Sequence, residues 1–213
     1  MTFRLSLANH GDQNLIIQLV EGAAAWLRSK ETDQWARPWP SRTERDERIR
    51  KDVWAGRTWI AWDGGVAAAT ITAEPAPDQV LWADWDSDPA TYVRRLVVSR
   101  SYAGLGLGSS LLDWAGREAE WHYGAQWIRL DVWTTNKVLH RYYTQLGFAF
   151  LGFCRDPGYP SGALFQKATR LIPAVDGRGL VEPDPHSFLA ARDERDIRVP
   201  LPRSHIAQSN CLH

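Results

Sequence analysis

The sequence has no surplus of either charge: Lys and Arg together number 25, and so do Asp and Glu. That balance argues against a nucleic-acid partner, because phosphate binding rests on an excess of cationic side chains. Cysteine is scarce. Cys154 and Cys211 stand far apart, which leaves no close thiol pair for a metal and suits reduced thiols in a cytoplasm. The six histidines, at positions 10, 122, 140, 186, 205 and 213, are scattered as well, so no metal-dependent role is expected. Long apolar runs are also missing. No stretch approaches the roughly 20 apolar residues that span a bilayer, and the opening MTFRLSLANHGDQ has no apolar core of signal-peptide length. The expectation is a cytoplasmic protein without a membrane partner.

Tryptophan, by contrast, is abundant, with 12 in 213 residues. Most of these are expected in the core, although Trp also makes pocket walls. The length suits one domain with a full core. Thr2 to Leu7 alternates as a strand, and Asp12 opens a helical period that runs to Leu27. Ser41 to Trp54 reads as a second helix with a charged face. Thr58 to Trp62 and Val66 to Thr72, joined by Asp63-Gly64-Gly65, predict a hairpin, because these turn residues tolerate positive φ. Further strands are expected over Tyr92 to Val98, Trp127 to Trp133, Phe148 to Phe153 and Ala163 to Lys167, with helices from Ser109 to Gly124 and from Asn136 to Gly147. This order implies an α/β (α+β) fold with a mixed sheet covered by helices. From Leu171 onward, prolines and scattered charges without an apolar period suggest an irregular tail. The expected division is a domain over 1–170 and an extension over 171–213, with Phe188 and Leu189 as the apolar residues that could dock it.

The strand ending at Val97 and Val98 runs into Ala103-Gly104-Leu105-Gly106-Leu107-Gly108-Ser109, alternate glycines at the start of a helix. Backbone N–H groups there converge on one concavity, and the helix N-terminus favours anions, so a pyrophosphate fits. Glycine-rich turns of this kind also hold dinucleotides. Here, however, the acid usually found about 20 residues further on is lacking and the βαβ series is absent, which disfavours a nucleotide-dependent oxidoreductase.

This strand and loop resemble a signature of the GCN5-related N-acetyltransferases: a Val-rich strand, Gln/Arg-x-x-Gly-x-Gly/Ala, then a helix. Gly106 and Gly108 match its glycines, and Ala103 stands where the family has Gln or Arg. The family's second motif is matched in order by Asn136, Tyr143 seven residues later, and Gly147-Phe148. The resemblance is specific from Tyr92 to Phe153. It implies a mostly antiparallel sheet and acetyl-CoA as cosubstrate, bound by Val97, Val98, the stretch Ala103 to Ser109, and Asn136. It further implies direct transfer of the acetyl group to a primary amine on a small molecule or peptide, and homodimerisation as a family habit.

Tyr143 aligns with the tyrosine that protonates the leaving thiolate, while its neighbour Tyr142 is expected to serve the core. Asp131 is the first choice of base, at a position where some relatives carry a glutamate. The alternative for Asp131 is a pairing with Arg129 or with backbone, and Asp84 and Asp86 are fallback bases, because the preceding strand carries Arg94 and Arg95 where many relatives have an acid. Trp35, Trp39, Trp82 and Trp85 would make the acceptor pocket aromatic. With Ala103 and the missing acid both departing from the family pattern, an acyl-CoA-binding sensor without transferase activity is the alternative.

Overall fold

The computed structural model describes residues 2–30, 32–85, 88–173 and 180–181. Its elements follow the expected order. They are β1 (Phe3–Leu7), α1 (Gln13–Arg28), α2 (Arg42–Trp54), β2 (Thr58–Asp63), β3 (Val66–Glu74), β4 (Ala90–Val98), α3 (Leu107–Tyr123), β5 (Trp127–Val132), α4 (Lys137–Gln145), β6 (Ala149–Phe153), β7 (Ala163–Ala168) and the short β8 (Leu180–Val181). Local chemistry sets several of the boundaries. Ser41 caps α2 by accepting a hydrogen bond from the Glu44 N–H at 3.2 Å, and Gly124, at φ 68°, ends α3 in the left-handed conformation.

The described strands form one sheet in the order β6-β7-β5-β4-β3-β2-β1-β8. Its pairs are antiparallel except β4 with β5 and β1 with β8. Two apolar layers flank it. Ile16 and Val20 of α1 and Ile49 and Val53 of α2 meet Ile60 and Val97 on one face. Leu111, Leu112 and Trp114 of α3 meet Trp59, Ile71, Val93, Ile128 and Leu130 on the other. Strand alternation explains the division, because neighbouring residues of one strand serve opposite layers.

The chain does not leave the core at position 170. Ile172 is buried in the α3 layer, and Leu180 and Val181 pair with Phe3 and Arg4. The expected docking residues Phe188 and Leu189 lie outside the described residues.

Candidate active site

In β4 the ladder with β5 ends early. The parallel pairing runs from Ala90 opposite Trp127 to Val93 opposite Leu130 and no further, while β4 continues to Val98 along β3. A gap therefore opens between the C-terminal halves of β4 and β5. At its head, the register against β3 moves from Thr72–Arg94 to Thr70–Val97, so β4 carries one extra residue. This is a β-bulge, and Arg95 within it has φ 47°. Arginine in the left-handed region is strained by roughly 1 kcal/mol or more.

The bulge fixes which backbone groups face the gap. The Ser99 N–H bonds to the Ala68 carbonyl of the neighbouring chain segment at 2.8 Å. By the two-residue period the Val97 N–H also points to β3, and those of Leu96 and Val98 point into the gap. Of the two strand residues expected to meet a cofactor, Val98 is thus aimed at the gap. Val97 is not, and its side chain packs against α1 and α2. The orientation of Leu96 depends on the bulge and has no local signal in the sequence.

Beyond β4, Ala103 is exposed, with its N–H bonded to the Arg100 carbonyl at 3.2 Å. Gly104 and Gly106 have φ of 80° and 75°, which glycine adopts freely. Leu105 is exposed and Leu107 is buried in the core. Gly108 sits where α3 crosses β4, and a Cβ there would meet the Tyr142 hydroxyl at 3.3 Å and Val98 at 3.6 Å. The Ser109 hydroxyl donates to the Gly106 carbonyl at 2.7 Å. Two contacts anchor this loop: the Arg100 guanidinium lies 3.9 Å over the Trp26 ring, and the Tyr102 hydroxyl donates to Asp63 at 3.0 Å. The N–H groups of the first turn of α3, which have no partners within the helix, face a loop with small residues at alternate positions. Such a cradle fits a diphosphate.

The two tyrosines differ in burial, and the expected acid is the more buried of them. Tyr143 is 8% exposed among Phe148, Phe165 and Tyr142, whereas Tyr142 is 37% exposed with its hydroxyl against Gly108. Helical geometry accounts for this, since residue 143 faces the layer that also takes Leu139 and Leu146. Burial pushes the Tyr143 phenol well above its ordinary pKa, and the nearby Tyr142 and Asp131 add to the shift.

Asp131 lies just past the last β5 residue paired with β4 and points to the opposite face from Leu130 and Val132. Burial raises its pKa, against the opposing effects of a Ser161 hydrogen bond and the Arg94 charge, and Asp78 raises it further. It is not held by Arg129. That guanidinium, 1% exposed, instead reaches the Trp85 carbonyl and the Tyr92 hydroxyl. Asp84 is occupied in a surface pair with Arg155 at 2.5 Å, and Asp86 lies outside the described residues.

Asn136 is more engaged than its motif suggests. Its side chain accepts from the Leu139 N–H at 2.9 Å and donates to Gln34 at 2.5 Å. Its backbone N–H and carbonyl bond to Trp133 and His140. Of the four expected pocket tryptophans, Trp82 is fully buried against Tyr92, and Trp35 and Trp85 are partly buried. Trp39 alone of the four presents an exposed ring, 4.5 Å from Tyr159, whose hydroxyl donates to Asp78 at 3.2 Å.

The split parallel pair of strands lies beside the glycine-rich turn, with the Asp131 carboxylate and the Tyr143 phenol near enough to influence each other's titration. The model of the acetyltransferase (GNAT) family matches residues 23–148. The uncharacterized N-acetyltransferase YesJ of Bacillus subtilis strain 168 is 32% identical over 149 residues, covering 68% of this chain and 81% of its own. A GNAT acetyltransferase structure from Listeria monocytogenes 4b F2365 superposes with a TM-score of 0.63 at 25% identity, covering 78% of this chain and 94% of that one. The PaiA N-acetyltransferase of Thermoplasma acidophilum, solved with coenzyme A, shares the fold at a TM-score of 0.60 and 15% identity, covering 79% and 99%.

This chain belongs to the GNAT family and is an N-acetyltransferase with acetyl-CoA as cosubstrate. Among the described residues, no helix is long and apolar enough to cross a membrane, and no cluster could hold a metal.

Proposed function

We propose that the chain acetylates a primary amine on a small molecule or peptide in the cytoplasm, with Asp131 as base and Tyr143 as acid. The observation that supports this reading is the gap between β4 and β5, with Asp131 just past the end of the ladder and close enough to the Tyr143 phenol to raise its pKa. Acetyl-CoA supplies an activated acyl group and a good leaving thiolate. The N–H groups of Gly104 to Ser109 hold its diphosphate, and those of Leu96 and Val98 polarise the thioester carbonyl. Asn136 reaches the pantetheine arm by exchanging its bond to Gln34. On the acceptor side, Asp131, directly or through a water it orders, takes the proton that the amine loses as nitrogen bonds the acyl carbon. The carbon–sulfur bond breaks, and Tyr143, kept protonated by burial, donates to the departing thiolate. The acceptor approaches past Asp78, Tyr159 and Trp39. Homodimerisation, a family habit, belongs to this proposal too.

The test is thiol release with a panel of amines, together with calorimetric titration of acetyl-CoA. Tyr143→Phe should lower kcat by about a hundredfold and leave acetyl-CoA affinity unchanged, while Tyr142→Phe should retain most of the turnover. The reverse result would move the acid to Tyr142.

A further inference from the structure

Two consecutive β4 side chains, Arg94 and Arg95, reach the same carboxylate. Asp52 of α2 receives Arg95 Nη1 on Oδ2 at 2.5 Å and Arg94 Nη2 on Oδ1 at 3.3 Å, while Arg57 Nη2 adds a third contact at 3.1 Å. In a regular strand, neighbours point to opposite faces, so one carboxylate on α2 could not take both. The pattern along β4 shows where the alternation breaks. Val93 and Leu96 pack on the α3 side and Val97 on the α2 side, with Arg94 and Arg95 both turned to α2 between them. The extra residue is Arg95, in the left-handed conformation. Its strain persists only because the surroundings over-determine it. Asp52 is 3% exposed, and the Arg95 guanidinium also reaches Thr72 Oγ1 at 3.4 Å.

We infer that Asp52 is a positioning residue for acetyl transfer: by pairing with Arg94 and Arg95 together, it locks the β4 bulge that turns the Leu96 and Val98 N–H groups toward the thioester. Asp52 itself touches neither substrate. Glu74 supports the arrangement from β3 by pairing with Arg94 and with Arg57, the latter at 2.6 Å. A helix on the acceptor side is thereby coupled to the group that polarises the acyl carbonyl. The inference rests on the proposed role of those two N–H groups.

The experiment compares kcat, and calorimetric affinity for acetyl-CoA and CoA, in Asp52→Ala and in the double variants Asp52→Ala/Arg95→Gly and Asp52→Ala/Arg95→Ala. Both doubles remove the guanidinium that Asp52→Ala leaves buried without its main partner, but only glycine adopts the positive φ without strain. The expected result is a kcat loss of about tenfold or more in Asp52→Ala, with CoA affinity within about threefold of the parent. Recovery of at least about fivefold is expected with Arg95→Gly but not with Arg95→Ala. Equal recovery in both doubles would mean that Asp52 merely neutralises charge, and recovery in neither, or an unchanged kcat in Asp52→Ala, would equally overturn the inference. Absence of turnover in the parent protein would instead count against the acetyl-transfer reading itself.

Discussion

The proposed role of Asp131 as base puts function and stability in opposition. Its carboxyl is held above the ordinary value of 3.8, chiefly by burial. The folded protein therefore binds this proton more tightly than the unfolded chain does, and stability falls as pH rises from about 4 toward the folded pKa. Above that value the loss is complete and constant. Asp131→Asn removes the penalty. Its thermal midpoint should match the parent at pH below about 4 and exceed it by a few degrees near pH 7, while kcat drops. In the parent, the acid limb of kcat/KM should lie above 3.8, because Asp131 in its proposed role as base works only when ionised. Thermal scans across pH and a pH–rate profile decide this; a midpoint difference that does not vary with pH would reject the linkage. The raised pKa was not legible in the sequence, since it comes from burial and, to a smaller extent, from Asp78, both of which depend on how the chain folds, and it survives the opposing pull of Ser161 and Arg94.

The elements that form by local rules are the ones the sequence made plain. The α2 cap at Ser41, the Asp63-Gly64-Gly65 turn and the left-handed stop at Gly124 each depend on residues within a few positions. The cradle is of the same kind, and its departure from the family pattern is open to test. Ala103 is exposed, with φ −66° and ψ 144°, a conformation that any side chain accepts. Ala103→Arg should therefore fold normally and add one charge-assisted contact to the diphosphate, tightening acetyl-CoA binding by about fivefold with kcat unchanged. Calorimetry at two salt concentrations checks it, since the gain should shrink as salt rises. Unaltered affinity at low salt would show that the position does not face the diphosphate. The bulge, by contrast, gave no local signal. Arginine is a poor indicator of positive φ, and the partner that holds Arg95 lies 43 residues earlier in the chain. The direction of the Val97 N–H, toward β3, was not legible for this reason, because a one-residue insertion changes which N–H groups face the gap.

On the scale of the whole molecule, the sheet is two halves, antiparallel apart from the short β1–β8 pair, joined by the four-residue β4–β5 ladder and bridged by α3. The chain after β7 reinforces that join. Thr169 donates its hydroxyl to the Ala125 carbonyl at 2.8 Å, and Ile172, 8% exposed, packs on α3 at Gly116, close to Ile128. A lone isoleucine after the last periodic strand has no pattern to reveal it, so composition alone placed the domain's edge before it. A Cβ on Gly116 would fall well inside van der Waals contact with Ile172 Cδ1, so the helix approaches this closely only because one side is glycine. Ile172→Ala should destabilise the fold by about 2–4 kcal/mol through the cavity it leaves. Gly116→Ala should cost less, because the crowded atom is the mobile end of Ile172 and alanine adds about 1 kcal/mol of helix propensity. The two sites touch, so their effects should not add: the double variant should be more stable than the sum of the single losses implies, because the new methyl group enters the vacated space. Urea unfolding of the four proteins measures the coupling, and strict additivity would mean that Ile172 does not pack on α3 in solution.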